Sequence, residues 1–591
     1  MGSDRARITY DEAQQYRSVI AQQGRVTLEA DWNEAQQIIR TAIDQNACDV
    51  VGPTGTPDDG YRIILAGEDG SDAQPYDFAI QKGTMYVGGM RVVQTDPCLY
   101  SQQAESNWLD HDTSDQNHLN RWVDPKNLAK DSNHPTQEFI YLYLREQEVS
   151  AVEDPALLEP AIGGPDTTQR VRLIQRVVRK ATDNPDCQSA FTTAQTDWET
   201  KHGLTFDAHT MRLASMGRLQ VTYSPSTAQT SLCEPTADAS YLEAENQLIR
   251  VQISAVDLTQ KKYKLVWGFD NASFLYSVKC KDGHQTLELQ SPPADDKHQP
   301  RAQQAVEVLQ AAAKLSNGHY VAATTGQVFT LTEPYAPDLK TIKLPSPLCD
   351  PYQSSSPLFL RVWEEEKAFT PDQPVELGKT GIQVTLSTTC SNSGETPFHV
   401  GDYWQIAIRP GLSTPIYPER YTQKLQPPDG PRLWICPLAV VEWETGNNND
   451  LNHSLVEDCR QKFDNLVELT NRPTLTDITI IKVQRLSAIA LGIALGLVSA
   501  LFTFLTCLVC REKFYQPFFC LSQEIPPTVT QSVNYLLIQA PAESTVPRWI
   551  NLLQNCLLRA FVAFIIGSLI GFLVAVIYNW WVKTWGQPQQ A

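Results

Sequence analysis

The sequence lacks most of the features that betray an enzyme or a nucleic-acid binder. It holds no His-Glu-x-x-His run, no Gly-x-Ser-x-Gly elbow and no paired Cys-x-x-Cys at zinc spacing, so hydrolase and zinc chemistry lose their usual supports. Gly378-Lys379-Thr380 has the form of a phosphate-loop end, but Gln373 stands where the leading glycine belongs and Pro374 follows it. A turn between strands is expected there. Basic residues are outnumbered, 48 Lys and Arg against 67 Asp and Glu, and none gather in a dense run. Phosphate-backbone affinity is built from such clusters, so nucleic acid is not expected as a partner, and the net charge of −19 would repel an anionic membrane surface. The 13 cysteines are scattered, and the one close pair, Cys507 and Cys510, has no His or Cys nearby. Such a set reads as reduced thiols in a cytosol. The N-terminus MGSDRARITYDEAQQYR has no apolar signal region.

Two groups of polar residues have the composition of a reactive or ligand-binding cluster. Asp110, His111, Asp112, Asp115 and His118 lack the Gly and terminal Glu of a calcium loop and read as a solvated acidic loop. His399 and Asp402 flank a turn leading into Tyr403 and Trp404, where structural hydrogen bonding is expected. No catalytic residue, metal ligand or cofactor site is assigned.

What the chain does have is two long uncharged apolar runs, 486–510 and 560–582. Each is long enough to cross a bilayer core of about 30 Å at about 1.5 Å per helical residue. Ala488, Gly492, Gly496 and Ala500 in the first, and Ala563, Gly567, Gly571 and Ala575 in the second, recur at four-residue spacing and would let two helices pack closely. Phe514 and Tyr515 after the first run, and Tyr578, Trp580, Trp581 and Trp585 at the end of the second, suit a headgroup boundary. The expectation is a transmembrane hairpin joined by a loop at 511–559, with a tail at 583–591 and a cytoplasmic body. The lipid bilayer is then a partner.

Ahead of the hairpin the composition, 42% hydrophobic and 19% charged, is that of folded protein. Residues 1–50 are helix-friendly and suggest two short helices. β patterns follow: Phe139–Leu144, Leu219–Tyr223, Leu248–Ile253, Lys264–Phe269, Gly381–Leu386 and Tyr403–Ile408 are rich in β-branched and aromatic residues. Gly83, Tyr86, Val87 and Gly89 read as a hairpin. Polar and Pro-rich breaks divide the body into lobes at 51–182, 183–300 and 301–470, with a last short helix over 458–470 and a stalk at 471–485. The expected fold is a mainly β, multi-lobed soluble body with short N-terminal helices plus the C-terminal hairpin. Asp31, Trp32, Asn33 and Glu34, polar residues around a large aromatic, suggest either a helix cap anchored on a sheet or a docking face.

Seven blocks carry a resemblance: QQGRVTLEADWNE (22–34), EPAIGGPDTTQR (159–170), YLEAENQLIRVQI (241–253), KLVWGFDNAS (264–273), VGDYWQIAIR (400–409), PPDGPRLWICPLAVV (427–441) and DCRQKF (458–463). Together they resemble a family of uncharacterised domains from gene clusters of contractile, phage-tail-like injection systems. The resemblance implies a tail-fibre or baseplate-associated structural component with baseplate proteins as partners, a homo-oligomer with a trimer as the guess, and a membrane-held particle of the kind cyanobacteria anchor to thylakoids. A thylakoid membrane is thus the expected location, with the cytoplasmic membrane otherwise. Arg432 and Leu433 stand where the family commonly shows two histidines, and Gly268-Phe269 replaces Ser-Arg, so no ligand role is carried over for them. Two rival readings are a tethered receptor or carbohydrate-binding module using Trp404 or Trp443, and a membrane-bound hydrolase with a site assembled from distant residues.

Overall fold

The computed structural model describes residues 2–65, 76–103, 119, 121–128, 136–223, 245–257, 259–349, 352, 357–389, 398–410, 415–445, 451–465 and 468–469, together with scattered positions in 493–501 and 557–576. It divides into two units, Met1–Phe463 and Asp464–Ala591.

The first unit is built from antiparallel sheets. One six-stranded sheet orders Arg170–Ala181, Gln137–Val149, Leu433–Thr445, Arg212–Ser215 and Leu204–Asp207, with Leu451–Asp458 also on the 433–445 strand. A five-stranded sheet runs Glu365–Phe369, Lys262–Gly268, Gln247–Asp257, Tyr403–Ile408, Ile416–Tyr417. A second six-stranded sheet centres on Ala305–Leu309, Leu358–Trp363 and Leu275–Cys280. Every strand pairing within these sheets joins residues of opposite direction, and the first sheet gathers strands from three distant stretches of the chain.

Burial explains why these segments are strands. The 137–149 strand is covered on both faces, so nearly all of its residues are buried instead of every second one. Its Phe139, Tyr141 and Leu142 join Phe78, Tyr100, Trp198 and Val440 in one core, while Ile249, Leu265, Val384, Trp404 and Ile406 form another. Each such side chain contributes about 1.5–3 kcal/mol when withdrawn from water. All six segments expected as strands fall in strands, although Phe269 and Gly381 lie just outside theirs. The Gly83–Val87 and Met90–Gln94 hairpin forms as expected, closed by Gly88 and Gly89 at positive φ. A side chain at Gly89 would meet the Asp44 carbonyl at 1.9 Å, so glycine is what lets this turn press on the N-terminal helix.

Several expectations are corrected. The N-terminus carries one long helix, Glu29–Val51, preceded by a 3-10 turn at Glu12–Gln14, in place of two short helices. Of the last short helix expected over 458–470, Asp458 ends a strand, Leu451–Asp458, whose ladder bonds to 439–445 satisfy its backbone; 459–465 are not helical, and 468–469 are. Cys187 and Cys459 are joined as a disulfide across a sequence separation of 272, against the expectation of reduced thiols throughout.

The transmembrane hairpin is also corrected. Described positions in 493–501 and 557–576, Ala500 and Ala563 among them, are helical. Among the described residues, however, no helix is long and apolar enough to cross a membrane. A span needs about 20 continuous apolar helical residues, and no helix among the described residues supplies them. The membrane-hairpin part of the fold class and the integral-membrane location, thylakoid or cytoplasmic, are therefore withdrawn. Ala488, Gly492, Gly496, Gly567, Gly571, Ala575, Phe514, Tyr515, Tyr578, Trp580, Trp581 and Trp585 lie outside the described residues, as do the acidic residues of 110–118.

Candidate functional site

The N-terminal 50 residues do two different things. Residues 3–11 lie along the body as a strap: the Ser3 carbonyl accepts from Asn271 Nδ2 at 2.8 Å, the Ala6 carbonyl accepts from Arg409 Nη2 at 2.7 Å, and Asp11 pairs with Arg420 at 2.9 Å. Residues 12–28 then form an arm that is exposed along its whole length, including Tyr16 at 63%, Ile20 at 81% and Val26 at 84%.

The helix at 29–51 follows. Its Leu28 N–H donates to the Asp31 carboxylate at 3.4 Å, so Asp31 occupies a capping position. Trp32 does not anchor against a sheet; it is 64% exposed. At about 100° per residue, Trp32, Ile39, Ile43 and Val50 fall within about 20° of one line, and all four are exposed. Asn33 and Glu34 lie on another side, where with Gln37 and Arg40 they line a cavity.

That cavity, of about 410 Å³, lies under the strap and is lined by residues of the 137–149, 212–215, 247–257, 358–363 and 403–408 strands. Its lining includes eight arginines. Five are matched by carboxylates. Glu146 pairs with Arg40 and, at 3.7 Å, with Arg432; Glu148 pairs with Arg5; Asp11 takes Arg420. Arg361 is fully buried and meets Glu307 at 3.5 Å. Arg7 lies 5.3 Å from the Tyr417 ring centroid.

Among the described residues, Arg212 and Arg250 have no carboxylate within ion-pair range. Arg250 is 4% exposed, its guanidinium stacked 3.6 Å from the Tyr403 ring centroid. Its Nε and Nη2 both donate to Gln252 Oε1, at 3.2 and 2.9 Å, and its Nη1 has no hydrogen-bond partner among the described residues. Burial, and secondarily Arg361, pushes this guanidinium down to about 10, against the pull of Tyr403 and Glu307. It is still charged at neutral pH. Arg212 Nε is likewise unpartnered, and burial followed by Arg432 holds the group below the usual arginine range. On the same wall Asp429 accepts from Tyr421 Oη and the Gln405 N–H, each at 2.7 Å, and burial raises its pKa.

The other residues singled out in the sequence have plain structural places. Gly378-Lys379-Thr380 is a turn between Pro374–Glu376 and Ile382–Thr388, with Thr380 Oγ1 donating to the Leu377 carbonyl at 2.6 Å. Asp402 is buried and accepts from Ser215 Oγ. Trp404 and Trp443 are buried, their indole N–H groups donating to the Gln426 carbonyl at 3.1 Å and to Glu138 Oε2 at 2.6 Å, so neither offers a ring to a sugar. Among the described residues no group of three His, Cys, Asp or Glu is placed to hold a metal ion. Sequence reasoning missed the arginine cavity, since its cations are spread from Arg5 to Arg432 and form no run. Only Arg432 had drawn notice, as a departure from the resembled family.

Residues 1–205 match a family of unknown function, DUF6519, a stretch that takes in the strap, arm and helix. No curated protein and no solved structure matches the chain.

Proposed function

We propose that this chain is a non-catalytic structural subunit of a larger protein assembly, a tail-fibre or baseplate-associated component of the kind that the resemblance to contractile injection systems implies. It assembles by laying the arm of one copy on the helix of the next. The observation that carries this reading is the exposed apolar arm beside the exposed apolar stripe of the 29–51 helix, two surfaces left without cover in one copy. They are complementary in charge. Residues 13–28 carry Arg17 and Arg25 and no acid, whereas 29–51 carry Glu29, Asp31, Glu34, Asp44 and Asp49 against Arg40 alone. Reach supports the pairing too. An extended arm over 15–28 spans about 45 Å, and the helix is about 35 Å long. A head-to-tail contact of this kind closes as a ring when the rotation between copies closes, as a threefold rotation does in a trimer.

The test is sedimentation of the full chain against a variant carrying Trp32→Ser, Ile39→Ser, Ile43→Ser and Val50→Ser. The wild type is expected to sediment as a closed oligomer and the folded variant as a monomer. A monomeric wild type at micromolar concentration, or an oligomer the variant leaves intact, refutes the arm exchange. Absence of the tagged chain from purified contractile particles refutes the assignment to that machine.

A further inference from the structure

We propose that the cavity under the N-terminal strap binds a small, multiply charged oxyanion, held by Arg212 and Arg250. The inference stands apart from the oligomer reading, because it concerns the inner side of the 29–51 helix and not the exposed stripe. Three observations carry it. Arg250 is 96% withdrawn from water, being 4% exposed, yet its Nη1 lacks a partner while Nε and Nη2 are both committed to Gln252. A buried cationic donor left unmatched is costly in a folded protein, and stacking on Tyr403 satisfies the face of the guanidinium but none of its N–H groups. A second unmatched donor, Arg212 Nε, lines the same space from a different sheet.

The carboxylates in the wall do not answer this demand. Glu146, Glu148 and Asp11 are taken by other arginines, Glu12 accepts from Gln45 Nε2 at 2.9 Å, Asp429 is turned to Tyr421 and Gln405, and Glu34, also in the wall, forms no ion pair with Arg212 or Arg250. The ligand must then bring its own negative charge. Because the two donors come from separate sheets, a molecule with more than one anionic group suits them better than a monoanion. A volume of about 410 Å³ is of small-molecule size and too small for a folded partner. Arginine forks recognise phosphate and carboxylate alike, so the shared chemistry is an oxyanion.

Calorimetry on the full-length protein with inorganic pyrophosphate and, separately, tricarballylate distinguishes the two sources at matched ionic strength. Saturable binding of one of them, stronger than that of sulfate, is expected. Arg212→Gln should weaken it about tenfold or more, as loss of a charge-assisted bond does. Arg250→Gln should weaken it at least as much, and Arg301→Gln, on the exposed surface, should leave it unchanged. If Arg250→Gln does not fold, Arg212→Gln and Arg250→Lys decide the matter, since the lysine keeps the charge and loses the fork. Absence of saturable binding up to about 10 mM of either anion, or binding that Arg212→Gln does not alter, overturns the proposal.

Discussion

Asp402→Asn is expected to remove a pH dependence of stability that the wild-type protein carries between pH 5 and 8. The Asp402 carboxyl is 1% exposed and accepts from Ser215 Oγ. Burial lifts its pKa from an ordinary 3.8 to about 8, opposed by the Ser215 bond, by Arg218 and by the backbone at His399. In the native state it therefore holds a proton that the unfolded chain releases above about pH 4. Because the native state binds the extra proton, unfolding becomes easier as pH rises from the unfolded value through the folded one. At about 1.36 kcal/mol per pH unit the whole window amounts to a ceiling of about 6 kcal/mol, of which about 3 kcal/mol falls between pH 5 and 7. Asparagine keeps the shape and can still meet Ser215 but has no proton to lose. Urea midpoints followed by tryptophan fluorescence at pH 5, 6 and 7 should fall for the wild type and stay nearly level for the variant, once changes common to both are subtracted. Parallel curves would refute the assignment of a buried neutral acid at this position.

Other expectations concern the frame of the first six-stranded sheet. Glu138 grips Arg179 with two bonds at 3.0 Å from Nε, accepts the Trp443 indole N–H and is 2% exposed; Glu138→Ala should cost about 3–5 kcal/mol in chemical denaturation, and a loss under about 1 kcal/mol would contradict the buried pair. Replacing Cys187 and Cys459 by Ala releases a closed loop of 272 residues, for which chain entropy sets a ceiling of about 5–6 kcal/mol. A fall of about 2–5 kcal/mol in unfolding free energy is expected, and an unchanged midpoint with and without reductant would show that the bridge does not constrain the chain.

Much of the sheet framework was legible in the residues themselves. Segments such as 248–253 and 403–408 announce strands because β-branched and aromatic side chains fit a buried pleated surface wherever it is placed, and the glycines at 88 and 89 announce a turn because few other residues adopt that backbone. Asp31 at its capping position belongs to the same class of local fact. The final strand at 451–458 does not stand out in the sequence because its partner edge at 439–445, not its own preference, determines its state. The apolar runs at 486–510 and 560–582 suggest a membrane crossing from hydropathy alone, whereas among the described residues no helix is long and apolar enough to make one.

The amino-acid order by itself determined the strand-forming segments, the tight turns, the surplus of acid and the lack of any local catalytic motif, since each depends on neighbours within a few residues. Only the tertiary structure decided that Cys187 reaches Cys459, that Trp32 shares an exposed line with Ile39, Ile43 and Val50, and that Arg212 and Arg250 border one cavity. These depend on which sheets close on one another. That closure is set by burying apolar surface summed over the whole chain, a quantity that no short window contains.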